Sequence, residues 1–239
     1  MASPARPRSV VGSVPATGLV NDSVAELHDY SELRSGTSPL MQVVAVDRPV
    51  LVLGSSQSVD ILNVDQMDQT PVRRRRGGGG LVLLGPGDLW VDWWIPTTDA
   101  RWSGDVHIGS LLAGTWWKTA LTPLVDRAIT LHEGTIEGDP AYRLVCFAGA
   151  GPGELFVDGR KAVGVTQWRV REGMFLSSAL LAHGSQAIPS YLRDAPEGLG
   201  AQLDHHTMAT LGLTDPARLI DSLRTASSPA TYRLLTLAI

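Results

Sequence analysis

The order of the periodic segments constrains the fold more than any other feature of this sequence. Residues 108–131 form the longest helical pattern, because apolar side chains recur there every four residues. Shorter helices are predicted over residues 21–34 and from Pro216 onward, with strands between the helices. The order helix, strands, helix, strands, helix lacks the regular alternation of a doubly wound sheet. We therefore predict an α+β fold.

The predicted strands are short and apolar. Residues 42–53 form one or two buried strands that are broken at Pro49, and residues 81–95 resemble a hairpin with its turn at Gly85-Pro86-Gly87. Further strands are predicted over residues 143–147, 154–158 and 162–170.

Composition excludes several classes of protein. The chain has 239 residues, of which 44% are apolar, which suits one sizeable core without disulfides or metals. Its net charge of −4 argues against attraction of the whole surface to nucleic acid. Cys146 is the single cysteine, and no apolar stretch reaches the roughly 18 residues of a membrane span. We expect a cytoplasmic protein without nucleic-acid or membrane partners.

Residues 73–80 combine four arginines with four glycines, which is the most unusual local feature of the chain. Glycines adopt φ values that are closed to other residues, so their N–H groups can approach a ligand and form an anion-binding nest. Arginines add bidentate donors for phosphate or carboxylate. The segment lacks the Lys-Ser/Thr of a Walker loop. On composition alone, a flexible basic surface loop is an equal alternative.

The residues around this run follow a wider pattern. An apolar strand ends in Gly54-Ser55-Ser56-Gln57, Asn63 follows, and an arginine pair, three glycines and a valine complete the pattern at Arg74, Arg75, Gly78, Gly79, Gly80 and Val82. This pattern resembles the catalytic domain of the biotin/lipoate protein ligase and octanoyltransferase family, and the resemblance implies that the chain is a divergent member. The family carries a Ser or Thr where this chain has Gly77, and a His-Asp where it has Leu84-Gly85. The resemblance implies that the arginine pair and the three glycines line an acyl and nucleotide site.

A second match spans residues 157–167. It is similar to the family's Gly-(Arg/Lys)-Lys signature, and the resemblance implies that Lys161 is the catalytic lysine, with Gly159, Gly164 and Gln167 beside the acyl ligand. The chemistry is reasonable, since a fixed ammonium can hold the acyl carbonyl oxygen, or an adenylate phosphate, as negative charge builds up. Taken alone, Gly-Arg-Lys is also typical of a hairpin tip with a solvated lysine.

Cys146 lies fifteen residues before Lys161, with Glu154 between them. One octanoyltransferase branch of the family carries a Cys-Phe at this distance from its lysine, and there the cysteine forms an acyl thioester. A neighbouring ammonium lowers the pKa of a thiol, which suits such chemistry. Free cysteines are also common as small buried hydrophobic residues on strands, so both interpretations stay open.

The resemblance also implies an organisation for the chain. A flexible lead over residues 1–20 would precede a catalytic domain over residues 21–190, and a short helical extension would follow over residues 191–239. The implied fold has a central mixed or antiparallel sheet flanked by helices, as in class II synthetases. The implied acceptors are lipoyl carrier domains, either 2-oxoacid dehydrogenase E2 subunits or the glycine cleavage H protein, and one branch takes its acyl group from acyl carrier protein.

Three functions fit these observations. The first is a lipoate–protein ligase that uses ATP and Mg²⁺ to convert lipoate or octanoate into an acyl-adenylate. The second is an ATP-independent octanoyltransferase that works through Cys146, and the third is an inactive paralogue that binds an acyl ligand or a lipoyl domain. The ligase ranks narrowly first, because the glycines are intact through Gly80, where cysteine-type transferases carry an arginine. No metal site is predicted in the protein itself, since its histidines lack metal-ligand spacing.

Overall fold

The computed structural model describes residues 24–67, 70–182, 184–208, 211–213 and 215–237. The predicted lead over residues 1–20 lies outside this range. The described residues form strands β1 (Leu40–Val46), β2 (Val50–Leu53), β3 (Val72–Arg74), β4 (Val82–Leu84), β5 (Leu89–Pro96), β6 (Ile129–Leu131), β7 (Leu155–Val157), β8 (Arg160–Val170), β9 (Gly173–Leu180) and β10 (Thr231–Leu237), and helices α1 (Ser31–Arg34), α2 (Val106–Leu121), α3 (Leu199–His206) and α4 (Pro216–Ser227). In this part of the chain, no helix is long and apolar enough to cross a bilayer.

The strands form two sheets. The larger sheet has the order β10-β1-β5-β9-β8-β7-β6, and the smaller one has the order β3-β2-β4. Strands β1 and β10 are parallel, as are β2 and β3, and the other described pairs are antiparallel. The predicted mixed sheet flanked by helices is confirmed.

Successive side chains along the central strands point to opposite faces of the larger sheet, and both faces are apolar. Met41, Val43 and Trp93 lie in one core with residues of α2 and α4. Val44 and Trp90, which point the other way, lie in a second core with the smaller sheet and α3. The larger sheet is therefore the middle layer of the molecule, and the smaller sheet lies on the face opposite α2 and α4.

The longest helix is shorter than predicted. Helix α2 ends at Leu121, and residues 129–131 form β6 instead of a last helical turn. Pro123 follows two residues after the helix, which agrees with the preference of proline for positions beyond a helix end. Leu124 and Val125 continue the apolar periodicity because they still pack into the same core from the following loop.

Residues 81–95 do not form the predicted hairpin. Strand β4 pairs with β2 in the smaller sheet, whereas β5 pairs with β1 and β9 in the larger one. The chain passes from the smaller to the larger sheet between β4 and β5. The Asp88 carboxylate fixes this connection, since it accepts hydrogen bonds from Gly85 N at 2.7 Å and Ala182 N at 2.6 Å. The strand predicted over residues 143–147 is also wrong, because residues 146–148 form a 3₁₀ turn.

The two ends of the described chain add to the sheets. The helix predicted over residues 21–34 is reduced to α1 within the described residues 24–34. The backbone before α1 pairs with β3 instead, through Leu27 N–Arg74 O and Arg74 N–Ala25 O, both 2.9 Å. Helix α4 begins at Pro216 as predicted, and Asp215 caps it by accepting from Arg218 N. The sequence predicts only helix after residue 191, whereas β10 extends the larger sheet beside β1.

Candidate active site

A cavity of about 420 Å³ opens beside β8, a volume typical of small-molecule sites. Three parts of the chain form much of its wall: the glycine segment (Gly78–Gly80), the first turns of α2 at Val106 and Ser110, and residues 136–154. Side chains of β8 complete the wall. Of the predicted site residues, the cavity brings together Gly78, Gly79, Gly80, Cys146, Lys161 and Gln167.

The predicted arginine pair supports the glycine segment from behind. The buried Arg75 guanidinium donates to the carbonyl oxygens of Gly78 at 2.9 Å and Gly80 at 2.7 Å, and burial lowers the pKa of this group. Arg74 donates to the carbonyl oxygens of Gly54 and Gln57. Neither arginine is among the described residues that line the cavity. Backbone carbonyl oxygens engage both guanidinium groups in this structure, and the expectation that the pair lines the acyl and nucleotide site stays a prediction.

Each glycine of the segment meets a different requirement. Gly79 has φ +94°, in the region that favours glycine. A Cβ atom on Gly80 would come within 2.7 Å of Arg143 O and Cys146 N, so only glycine permits this close approach. A Cβ atom on Gly78 would meet nothing within 4 Å. A side chain at Gly78, one of the residues that line the cavity, would therefore enter open space.

Lys161 is buried at the start of β8, with 1% of its side chain exposed. Its ammonium donates to the carbonyl oxygens of Cys146 at 2.7 Å and Gly149 at 3.0 Å, and it forms an ion pair with Glu154 Oε2 at 2.6 Å. The three N–H donors of the ammonium thus have three protein acceptors. The alternative of a solvated lysine at a hairpin tip is wrong, because the tip is Asp158-Gly159.

Glu154 anchors this cluster, although the sequence pattern used it only as a marker of spacing. Its carboxylate is 5% exposed and accepts from Gly151 N at 2.7 Å and Val165 N at 3.3 Å, besides Lys161. Burial raises the pKa of the Glu154 carboxyl, and the Lys161 ammonium opposes that effect. The interval between the two residues is visible in the sequence, but their burial as an ion pair depends on the packing of residues 146–154 against β8.

Cys146 lies on the cavity wall at the first position of the 3₁₀ turn. It is half-buried, so it is not the enclosed hydrophobic residue on a strand that the alternative interpretation describes. Its N–H donates to Leu81 O at 3.0 Å, and its carbonyl oxygen accepts from Lys161. The backbone of the cysteine is therefore fixed between Leu81, which follows the glycine segment, and the buried ammonium.

The remaining predicted residues differ in position. Gly159 is exposed and has φ +77°, which suits the turn between β7 and β8. It is not among the described residues that line the cavity, and its place beside the acyl ligand stays a prediction. Gly164 faces inward, where a Cβ would lie 3.2 Å from the Phe147 ring and 3.4 Å from Cys146 Sγ. Gln167 borders the cavity and donates to Ser110 Oγ at 2.8 Å.

The charges on the cavity wall do not favour a polyanion. Three carboxylates, those of Glu137, Asp139 and Glu154, stand against two cations, Arg143 and Lys161, among the lining residues that the structure describes. One of these cations, Lys161, is already paired with Glu154. Within the same described ranges, no group of three His, Cys, Asp or Glu side chains is arranged to hold a metal ion.

Solved structures of lipoate–protein ligases are similar to this chain. Lipoate-protein ligase A bound with ATP is 16% identical, with 81% of this chain and 72% of that chain covered and a TM-score of 0.63. A bipartite lipoate protein ligase described with its E2 lipoyl domain from Thermoplasma acidophilum is 15% identical, with 84% and 75% covered and a TM-score of 0.61. LipL1 of P. falciparum in complex with lipoate is 14% identical, with 83% and 53% covered and a TM-score of 0.56. No protein-family model and no curated protein matches the sequence.

At these identities the likeness establishes the fold. The described part of the chain has the fold of the lipoate–protein ligase catalytic domain, which is the fold that the motifs over residues 53–82 and 157–167 imply.

Replacing Gly78 with valine is expected to weaken octanoate binding by at least about tenfold, because the branched side chain would project into ligand space. The melting temperature should change little, since a Cβ at this position meets no atom within 4 Å. Gly79→Val is the matched control: its positive φ and the nearby Arg75 guanidinium should make it unstable. Calorimetric titration and thermal melts measure both effects. Unchanged octanoate binding by a folded Gly78→Val variant would remove the glycine segment from the ligand site.

Proposed function

We propose that this chain transfers a lipoyl-type acyl group, lipoate or octanoate, to a lysine of a lipoyl carrier domain. The observation that carries the proposal is the meeting of Gly78–Gly80, Cys146 and Lys161 around one cavity. The fold supports the same class of reaction, and so does the lipoyl domain described with the Thermoplasma acidophilum ligase. Carrier domains of 2-oxoacid dehydrogenase E2 subunits and the glycine cleavage H protein are the proposed acceptors.

The geometry favours a route through a thioester on Cys146. The half-buried thiol borders the cavity, while Arg74 and Arg75, the groups expected to hold phosphate, are engaged by backbone carbonyls. The excess of carboxylates on the wall also disfavours a triphosphate. On these features we place the thioester route ahead of the acyl-adenylate route, which the glycine run alone ranks narrowly first.

The thioester route has two balanced steps. The Cys146 thiolate attacks the carbonyl carbon of an octanoyl thioester on acyl carrier protein, and the carrier's thiol leaves with the proton that Cys146 gave up. The uncharged amine of the acceptor lysine then attacks the new thioester. The bond from carbon to Cys146 Sγ breaks, an amide forms, and a proton from the amine protonates the Cys146 thiolate that leaves. This route uses neither ATP nor a metal.

Lys161 would stabilise the negative charge that develops on the acyl oxygen in both steps. Its ammonium already donates to carbonyl oxygens, and the bond to Gly149 O, at 3.0 Å, is the longest of its three contacts. An acyl oxygen entering the cavity would take over one such donor. Glu154 would keep the ammonium in place during the exchange, because the pair is enclosed on all but a few per cent of its surface.

An acyl-adenylate route is the second candidate, and one observation favours it. The neighbour with a TM-score of 0.63 was solved with bound ATP, and the three glycines of the family pattern, Gly78–Gly80, line the cavity of this chain. In this route ATP, accompanied by Mg²⁺, would activate lipoate or octanoate. Lys161 would hold the carbonyl or phosphate oxygen, and Cys146 would have no chemical duty.

The deciding experiment incubates the protein with an apo lipoyl domain and reads the acceptor by intact mass. One arm supplies octanoyl-acyl carrier protein without ATP, and the other supplies lipoate with ATP and Mg²⁺. We expect an octanoyl adduct on the lipoyl-domain lysine in the first arm. An adduct only in the second arm would support the adenylate route. No adduct in either arm would contradict both routes and leave the inactive paralogue, which a binding measurement with the apo domain would identify.

A further inference from the structure

Thr166 on β8 fills the space where a side chain at position 77 would lie. A Cβ atom built on Gly77 would stand 2.6 Å from Thr166 Oγ1 and 2.8 Å from Thr166 Cγ2. Both separations are far shorter than the roughly 3.5–4.0 Å of ordinary van der Waals contact. Any residue larger than glycine at position 77 therefore competes with Thr166 for the same volume.

The Thr166 hydroxyl also holds the glycine segment. It donates a hydrogen bond to Gly78 O at 3.0 Å, and this carbonyl oxygen accepts from Arg75 Nη2 at 2.9 Å as well. The carbonyl is thus fixed from both sides, by Arg75 beyond the end of β3 and by Thr166 on β8. Because threonine is β-branched, its strand backbone restricts χ1 and so fixes the direction of the hydroxyl. Thr166 itself borders the cavity.

We propose that Thr166 is a positioning residue for acyl transfer, supplying from β8 the hydroxyl that the ligase pattern carries at position 77. Its hydrogen bond sets where Gly78–Gly80 stand relative to the acyl ligand. In this exchange, the hydroxyl side chain moves from position 77 to position 166. It accounts for Gly77, because side chains that carry a hydroxyl at both positions would overlap. The role in transfer rests on the proposed function, whereas the exchange of volume rests on the geometry alone.

The exchange of volume is tested by a double-mutant cycle in thermal melts. Gly77→Ser is expected to lower the melting temperature by about 2–10 °C, because it overpacks the site. In the Thr166→Ala background the same substitution should cost nothing or stabilise, since the space is free. Additive effects, which are usual for residues that do not touch, would overturn the proposed exchange. This test needs no ligand and no activity.

The positioning role is tested by kinetics with octanoyl-acyl carrier protein and an apo lipoyl domain. Thr166→Val removes the hydroxyl at nearly constant volume and should raise KM for the acyl donor about fivefold with a smaller change in kcat. The melting temperature should hold, since Gly78 O keeps its bond from Arg75. Thr166→Ser should restore KM to within about twofold of the wild type, because it restores the donor.

The two double variants give the sharpest comparison. Gly77→Ser with Thr166→Ala returns a hydroxyl to the site from position 77, and Gly77→Ala with Thr166→Ala is the matched control without one. We expect the first to have the lower KM. Equal KM values in the two, or a Thr166→Val enzyme like the wild type, would overturn the positioning role. Failure of the wild type to transfer or bind any acyl group would instead contradict the proposed function, while the melting cycle would still decide the exchange of volume.

Discussion

Replacing Lys161 with alanine is expected to lower acyl transfer to a lipoyl domain by at least about 10²-fold, the usual cost of losing one preorganised donor to a developing oxyanion. The structure adds a second expected effect. Without the ammonium, the Glu154 carboxyl stays 5% exposed and unpaired, and breaking a buried ion pair on one side costs about 3–5 kcal/mol. A loss of activity in the alanine variant would therefore have two causes, the missing stabilisation of the oxyanion and the lower stability of the fold.

A neutral pair separates these two contributions. Lys161→Met with Glu154→Gln removes both charges together. The new amide oxygen can still accept from Gly151 N, the shorter of the two backbone bonds at 2.7 Å, while the longer bond from Val165 N, at 3.3 Å, is lost. Replacing a buried ion pair by uncharged groups is often neutral for stability. We expect this double variant to melt near the wild-type temperature and still to lack transfer. Transfer within about tenfold of the wild type by the folded double variant would contradict a catalytic role for Lys161.

The sequence predicts this cluster in part, because its signal is local. The spacing from Cys146 to Lys161 and the three glycines are short-range patterns, and the structure places all of them on one cavity. The hydrogen-bond partners of the Arg74 and Arg75 guanidinium groups could not be predicted from such local patterns. Whether a guanidinium meets a ligand or a backbone carbonyl depends on which strands surround it, and here Arg75 reaches Val52 O on the neighbouring β2 at 3.2 Å.

The fold shows the same division between local and long-range information. Apolar periodicity locates α2, but it overruns the helix end because Leu124 and Val125 pack into the same core from a loop. The apolar run over residues 81–95 predicts strands, yet their partners lie in two different sheets. Strand β10 follows helix α4, which the sequence predicts correctly. The strand itself is not predicted, because its pairing with β1 joins residues about 190 positions apart.

Replacing Cys146 with serine is expected to abolish ATP-independent transfer from octanoyl-acyl carrier protein, because a serine hydroxyl is a far weaker nucleophile at neutral pH. The fold should survive, since the substitution is nearly isosteric at a half-buried position. It also preserves the backbone contacts to Leu81 O and Lys161 Nζ. Loss of transfer with an unchanged melting temperature would then report on chemistry and not on folding.

Trapping the intermediate gives the more direct test of Cys146. Wild-type protein incubated with octanoyl-acyl carrier protein, without an acceptor and without ATP, should gain one octanoyl group that hydroxylamine releases, as it does from a thioester. Cys146→Ser should gain none under the same conditions. If the wild type forms no adduct, and Cys146→Ser still joins lipoate to a lipoyl domain with ATP, the thiol has no chemical role. The reaction would then proceed through the adenylate, with Arg143 and Lys161 the cationic side chains on the described cavity wall that could meet its phosphate.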